Sequence, residues 1–438
     1  MKVLKFGGTS IGTVQMMKDV AGIINNGEPK IVVLSAMSGT TDRLVEISEY
    51  YYKKEYDQAK DLTNKLEKKY IDVISGLFKT KQYATKGEEL VRSHFFYIRS
   101  FTQRMFTIHQ EKAILAQGEL LSTALFHFYL EENGTDSVLL EALNFMRIDK
   151  SDDPDTYYIK ENLKRELNEY PGKALFITQG YICRDAYGEV DNLKRGGSDY
   201  SASLIGEAIE AEEIQIWTDI DGLHNNDPRY VTNTRKINRL SFDEAAELAY
   251  FGAKILHPSS VMPCKTANIP VRLKNTHNPE DEGTLITSSS SSEGIKAIAA
   301  KDGITAIKIK SGRMLMAYGF LRKVFEIFEI YKTPIDMITT SEVAVSLTID
   351  NPVNINKIAD ELKKFGTVET DADQTIVCIV GDLIAEKKGY AMNIFHALRE
   401  IPVRMISYGG SRHNISVLIS TKDKKNALEA LSKNLFTE

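Results

Sequence analysis

The chain has 438 residues, 42% hydrophobic and 26% charged, with 55 Lys and Arg against 60 Asp and Glu. That length exceeds one ordinary domain and suits roughly two to four, each able to bury a core. The formal net charge of −5 gives no general basic surface, which argues against nucleic acid or a membrane surface as partner, and no stretch reaches the roughly 18 apolar residues of a membrane helix.

In chain order, residues 1–37 read as strand, helix, strand: MKVLKF, a helix over about 14–25, and the apolar run KIVVLSAM, which together open a βαβ unit. This start carries no signal-peptide core, and the protein is expected in the cytoplasm. KFGGTS at 5–10 places Lys5 beside Gly7 and Gly8 where the first strand must turn. The glycines either turn the chain only, or expose backbone N–H groups to a phosphate that Lys5 also neutralises. VVLSAMSGTT at 32–41 runs a buried strand into small and hydroxylated residues, and reads as an anion site or a plain Ser/Gly loop.

From 42 to 132 the pattern is helical, and in ILAQGELLST at 114–123 Glu119 interrupts an apolar run. A carboxylate there either faces solvent or has a cationic partner, because burying it unpaired is too costly. Strands return at DSVLLEA, KALFITQGYI and EIQIWTDIDGL, separated by helical stretches at 155–168 and 199–211. Such alternation predicts an α/β sheet with helices on both faces. In LKRGGSDYSA at 193–202, Ser198 or Asp199 can cap a helix, while Arg195 beside Gly-Gly is suited to grip a carboxylate. WTDIDGLHNNDPRY at 217–230, with FGAKILHP at 251–258, crowds Asp219, Asp221, Asp227 and Arg229 at a strand exit. Turn chemistry explains the acids, and Arg229 with Lys254 offers cations for a polyphosphate. Cys183, Cys264 and Cys378 are widely spaced, and no metal spacing or nucleophilic triad is legible.

SSSSSEG at 288–294 is the clearest linker, and the main boundary is placed there. Two similar stretches follow. One reads strand 304–310, helix 318–331, strands 335–339 and 343–350, helix 354–365 and strand 366–370. The other reads strand 374–381, helix 388–400, strands 403–408 and 412–420 and helix 424–436. Each follows a βαββαβ order except that the second lacks its last strand, and IKAIAAK at 295–301 is predicted to supply it.

Taken together and in this order, KFGGTS, QGELLST, RGGSDYSA, WTDIDG with DPR, FGAKILHP and the tandem tail resemble the aspartate kinases of the amino acid kinase superfamily. GFLRKVFEIF and DMITTSEVAVSLTID further resemble the first ACT domain of lysine-inhibited, homodimeric members. The resemblance implies an αβα amino acid kinase domain over 1–294, then ferredoxin-like ACT domains over 303–370 and 371–438. It implies transfer of the ATP γ-phosphoryl, with Mg²⁺ carried by the nucleotide, to the side chain of L-aspartate. It also implies feedback by lysine, a homodimer formed through the ACT domains with further association into a dimer of dimers, and neither nucleic acid nor membrane as partner. By matching motif, Lys5 and Asp199 are catalytic; Thr41, Glu119, Tyr181, Arg195 and Ser198 hold aspartate. Lys5, Gly7, Gly8, Ser10, Thr218, Asp219, Arg229 and Lys254 hold the nucleotide, and Met314, Phe320, Asp336, Ser341 and Glu342 hold the effector lysine. Lys194 before RGGSD and His224 after the TDIDGL run depart from the family pattern, which has Gly and an aromatic there. A glutamate-type acceptor, or a silent lysine sensor, are the alternative readings.

Overall fold

The computed structural model describes all residues except 104, 194–195, 253–257, 290–293, 312–317, 383, 385 and 437–438. The chain divides into two units, Met1–Gly222 with Leu256–Ser288, and Leu223–Ile255 with Ser289–Glu438.

The first unit contains strands β1 (Lys2–Phe6), β2 (Lys30–Leu34), β3 (Val138–Leu140) and β4 (Leu175–Gln179), the short antiparallel pair β5 (Ile182–Arg184) and β6 (Val190–Asn192), and β7 (Ile214–Thr218). After β8 (Arg239–Ser241), which falls in the second unit, it resumes with β9 (Val271–Asn275) and β10 (Thr284–Thr287). Its sheet runs β3-β4-β2-β1-β7-β9-β10. Every pair from β3 to β9 is parallel, and β10 alone runs antiparallel. All five residues of β2 are buried, as the unbroken apolar run predicts for a strand covered on both faces.

Helices α1 (Val14–Ile24), α2 (Thr40–Tyr52), α3 (Tyr56–Leu77), α4 (Lys81–Arg99) and α5 (Ile108–Glu132) account for the long helical region. Residues Ala113 to Glu119 of α5 are all buried, so this helix lies inside the unit rather than on its surface. Gly118 permits the approach, since a Cβ there would stand 2.8 Å from the Ala36 Cβ. Helices α6 (Ala142–Phe145), α7 (Thr156–Asn168) and α8 (Gly197–Ala208) follow. Because β1 has β2 on one side and β7 on the other, the connections leave it in opposite directions, and a crevice forms at its carboxyl end. KFGGTS occupies that end.

The second unit takes α9 (Phe242–Tyr250) from the middle of the chain, whereas α10 (Met262–Ala267) belongs to the first. Its sheet is built from β11 (Gly294–Lys310), β12 (Ile338–Thr340), β13 (Ala344–Ile349), β14 (Thr367–Asp382), β15 (Met405–Tyr408) and β16 (Asn414–Ser420), with helices α11 (Phe320–Ile330), α12 (Ile355–Leu362), α13 (Tyr390–Ala397) and α14 (Lys424–Leu435). The strand order is β12-β13-β11-β14-β16-β15. Residues 295–301 and 304–310 form one long strand rather than two, as do 366–370 and 374–381. Register shifts near Ile295 and between Lys301 and Ala306 absorb the mismatch without breaking the β11–β14 ladder. Ala297–Lys301 pairs with Ile376–Val380, and Ala306–Lys310 with Thr367–Asp371. Two cores result: Ile307, Val324, Phe328 and Leu347 in one, Val377, Ile394, Val417 and Leu428 in the other.

The segment Leu223–Ile255 also belongs here, which a single linker near 294 does not anticipate. The Asn225 carbonyl accepts the Ile298 N–H at 2.9 Å, and Asn226 Nδ2 donates to the Leu428 carbonyl at 3.1 Å. Lys296 meets Glu244 at 3.1 Å, with side-chain exposures of 6% and 0%. A carboxylate so deeply buried requires its cation, and the pair fastens α9 to β11.

Candidate active site

Lys5 is the fourth residue of β1, and its ammonium lies 2.6 Å from Asp199 Oδ1 in the first turn of α8. Both side chains are mostly buried. The turn after β1 is shaped by close approach: a Cβ at Gly8 would stand 2.8 Å from the Ala36 carbonyl oxygen, so only glycine fits. Gly7 donates its N–H to the Trp217 carbonyl at 3.3 Å, and a Cβ on it would lie 3.5 Å from Lys5 Nζ. The Ser10 hydroxyl is buried and lies 2.7 Å from the Thr276 hydroxyl, which itself donates to the Thr218 carbonyl. Ser10 thus ties the turn to the carboxyl ends of β7 and β9.

Beside this turn is a cavity of about 320 Å³ lined by Gly8, by Ser35 to Gly39, and by Thr41, Asp42, Glu119, Tyr181, Gly197 and Ser198. Five separate stretches of the sequence therefore meet here. Helices α2 and α8 both start at the cavity, each preceded by a glycine with φ of 73°. Their free N–H groups favour anions. Glu119 is 3% exposed; Oε1 accepts the Ala36 N–H at 3.2 Å, and Oε2 has no partner among the described residues. Burial pushes its carboxyl up to about 8. Tyr181, with φ of 66°, holds a left-handed conformation that a bulky side chain rarely adopts, fixed by its N–H donating to Ser201 Oγ and its carbonyl accepting from Leu193. Burial, then the charge of Glu119, raises the Tyr181 hydroxyl to about 12. The Ser35 hydroxyl donates to that of Ser198 at 2.9 Å.

On the other side of β1, Thr218 ends β7 and donates its hydroxyl to Asp219 at 3.1 Å. Arg229 lies in the second unit, where its guanidinium grips the Asp227 carboxylate through two nitrogens, Nε at 2.9 Å and Nη2 at 2.6 Å. His224, also there, has Nδ1 3.0 Å from the Thr234 hydroxyl. Lys194, Arg195, Lys254 and Met314 lie outside the described residues. Of the other residues expected at an effector site, Phe320 is buried at the start of α11, within the first core. Ser341 and Glu342 are exposed in the turn between β12 and β13, where Ser341 donates its N–H to the Ala344 carbonyl at 2.8 Å. The Asp336 side chain is 1% exposed and lies 2.7 Å from Lys301 Nζ. That partner was not foreseen, although a lysine on a strand beside a carboxylate-bearing strand start is a signal the sequence carries.

Residues 1–275 match the amino acid kinase family, and residues 377–435 match the ACT domain. The chain is 31% identical to lysine-sensitive aspartokinase 3 of Escherichia coli, with 99% of each covered. It is 32% identical to chloroplastic aspartokinase 1 of Arabidopsis thaliana, covering 99% of this chain and 80% of the relative. The solved structure of E. coli aspartokinase III in complex with lysine and aspartate superposes with a TM-score of 0.82 at 30% identity over all of both chains. Clostridium acetobutylicum aspartate kinase gives 0.85 at 26% identity, covering 99% of this chain and 100% of that one. The family match over residues 1–275 and the full-length likeness to aspartokinases show that the chain belongs to the amino acid kinase family, within its aspartokinases.

Proposed function

We propose that the protein transfers the γ-phosphoryl group of ATP to the side-chain carboxylate of L-aspartate, giving 4-phospho-L-aspartate, the first step toward lysine, threonine and methionine, and that lysine inhibits it. The observation that carries the acceptor is Glu119: a buried carboxylate with one free oxygen, in a cavity also floored by two helix starts, suits a molecule bearing both an ammonium and carboxylates. The ammonium goes to Glu119 Oε2. The α-carboxylate goes to the α8 start, with Arg195, Ser198, Thr41 and Tyr181 around it.

The side-chain carboxylate of aspartate is already ionised near neutral pH, so no general base is needed. Its oxygen attacks the γ-phosphorus, the bond to the bridging oxygen breaks, and ADP leaves with that electron pair. What the protein supplies is alignment and charge. Lys5 neutralises the transferring group, Asp199 fixes the Lys5 ammonium, and the N–H groups after Gly7 receive phosphate oxygens. Thr218, Asp219, Arg229 and Lys254 are the nucleotide side of the reading. In this reading Mg²⁺ would arrive with the nucleotide, held by its phosphates and water, and would spread their charge.

In the second unit, Asp336, Ser341 and Glu342, with Phe320 and Met314, are read as the lysine site. Ile338 and Val343, and Ile406 and Tyr408 at the opposite end of the strand order, expose large apolar side chains, which supports a homodimer formed through this unit, with association into a dimer of dimers as the larger form. No described helix is long and apolar enough to cross a membrane, and the three cysteines are free and buried. The reading places the enzyme in the cytoplasm.

An acceptor panel tests the reaction. ADP release from Mg-ATP is expected with aspartate and not with glutamate; equal rates with glutamate contradict the assignment. Glu342→Ala is expected to raise the half-inhibitory lysine concentration by about tenfold, the worth of one charge-assisted contact, with uninhibited kcat nearly unchanged. A dose–response curve that overlays the wild type removes Glu342 from the site.

A further inference from the structure

The second unit is an internal repeat whose halves carry opposite charges at equivalent places. Ile304 and Gln374 pair with each other near the middle of the β11–β14 ladder, so Lys301 and Asp371, each three residues earlier, are equivalent. Asp336 and Arg404 are equivalent too, in Pro-Ile-Asp-Met-Ile and Pro-Val-Arg-Met-Ile. Asp336 donates its N–H to the Thr348 carbonyl at 2.9 Å, as Arg404 does to that of Leu418 at 2.8 Å. In each half the equivalent side chains pair, Lys301 with Asp336 and Arg404 with Asp371.

Three features separate the halves. The Arg404–Asp371 pair is nearly half exposed, whereas Asp336 is buried and its Oδ2 has no partner among the described residues. Lys301 also lies 2.8 Å from Asp350, so two carboxylates share its ammonium and the cluster is one positive charge short. Finally, α9 reaches Asp336: the Tyr250 hydroxyl donates to Oδ1 at 3.1 Å, and the Lys301 ammonium sits 4.7 Å from the Tyr250 ring centre. From Tyr250 the chain runs through 251–255, which includes Lys254, back into the first unit.

We infer that Tyr250 is the coupling residue of lysine feedback: an effector ammonium arriving at Asp336 Oδ2 redirects the carboxylate shared by Lys301 and Tyr250, and the Tyr250 hydroxyl carries that change into α9. This rests on Asp336 belonging to the lysine site. The device exists in the first half only, because the second half presents Arg404 in place of the acid. Coupling of this kind needs a bond that effector binding makes or breaks, and the Tyr250–Asp336 hydrogen bond is that bond.

Tyr250→Phe in the full-length enzyme removes the hydroxyl of a 41% exposed side chain and leaves no buried donor behind. Without lysine, kcat and both KM values are expected within about twofold of wild type, and calorimetry should give lysine Kd values within about threefold. The rate that remains at saturating lysine should nevertheless rise at least about tenfold, the scale of one hydrogen bond to a charged group. Arg404→Gln, its control in the other half, should leave inhibition unchanged. The inference is overturned if Tyr250→Phe is inhibited like wild type, if it loses lysine binding in proportion to inhibition, or if Arg404→Gln loses inhibition equally. A wild type that turns over aspartate yet binds no lysine overturns the effector reading and this inference with it, while leaving the kinase assignment standing.

Discussion

Lys5→Met is expected to lower kcat for aspartate-dependent ADP formation by about a thousandfold while changing the aspartate KM by less than about threefold. Removing one preorganised donor to developing charge costs a factor of roughly 10²–10³. Two features push this case to the upper end. The ammonium is held by Asp199 at 2.6 Å, so little reorganisation is needed when the phosphoryl group transfers. Its loss also leaves the Asp199 carboxylate uncompensated next to an anionic reacting group. Lys5→Arg should not restore the rate: a planar fork does not replace a compact point charge held 2.6 Å from Asp199. Asp199→Asn should cost less, about 10–100-fold, because the lysine remains but is no longer fixed. Steady-state kinetics with thermal melts as a folding check measure both. A Lys5→Met enzyme within tenfold of wild type would remove Lys5 from the chemistry.

Glu119→Gln is expected to raise the aspartate KM by roughly a hundredfold, since breaking a buried, charge-assisted contact costs about 2–5 kcal/mol. It should also abolish a pH dependence. Burial raises the Glu119 carboxyl to about 8, so near neutrality it carries a proton that must leave when a substrate ammonium binds Oε2. The sign follows from linkage: binding releases a proton, so affinity strengthens with rising pH until the free carboxyl is itself ionised. The aspartate KM should fall nearly tenfold per unit over about pH 6–7.5 and level off above about 8. In Glu119→Gln the profile should be flat. A flat wild-type profile would mean that Glu119 stays ionised or never meets the ammonium.

Much of this was legible in the chain because the signals are local. An apolar run such as KIVVL can only be a covered strand, and Lys5 with two glycines behind it can only sit at a strand's end. Glu119 was ambiguous between solvent and a cation. Burial along consecutive turns of α5 settles the first half of that question, and the orphaned Oε2 supplies the second. The hydroxyl contact of Ser10 is not legible locally, because its partner Thr276 lies 266 residues away. The same limit hid the excursion of Leu223–Ile255. Nothing local in SFDEAAELAY says that Glu244 needs Lys296, or that Tyr250 reaches Asp336. The long strands β11 and β14 were read as four because Asp302-Gly303 and Asp371 to Asp373 look like turns, while in the sheet they are bulged ladder.

The central claim is that this chain forms an acyl phosphate on aspartate at the Lys5 turn, and trapping the product with hydroxylamine tests it most directly. Wild type with Mg-ATP and aspartate should yield the side-chain hydroxamate of aspartate in step with ADP, and Lys5→Met should yield neither above background. ADP released without hydroxamate, or hydroxamate formed equally by the Lys5→Met protein, would contradict it.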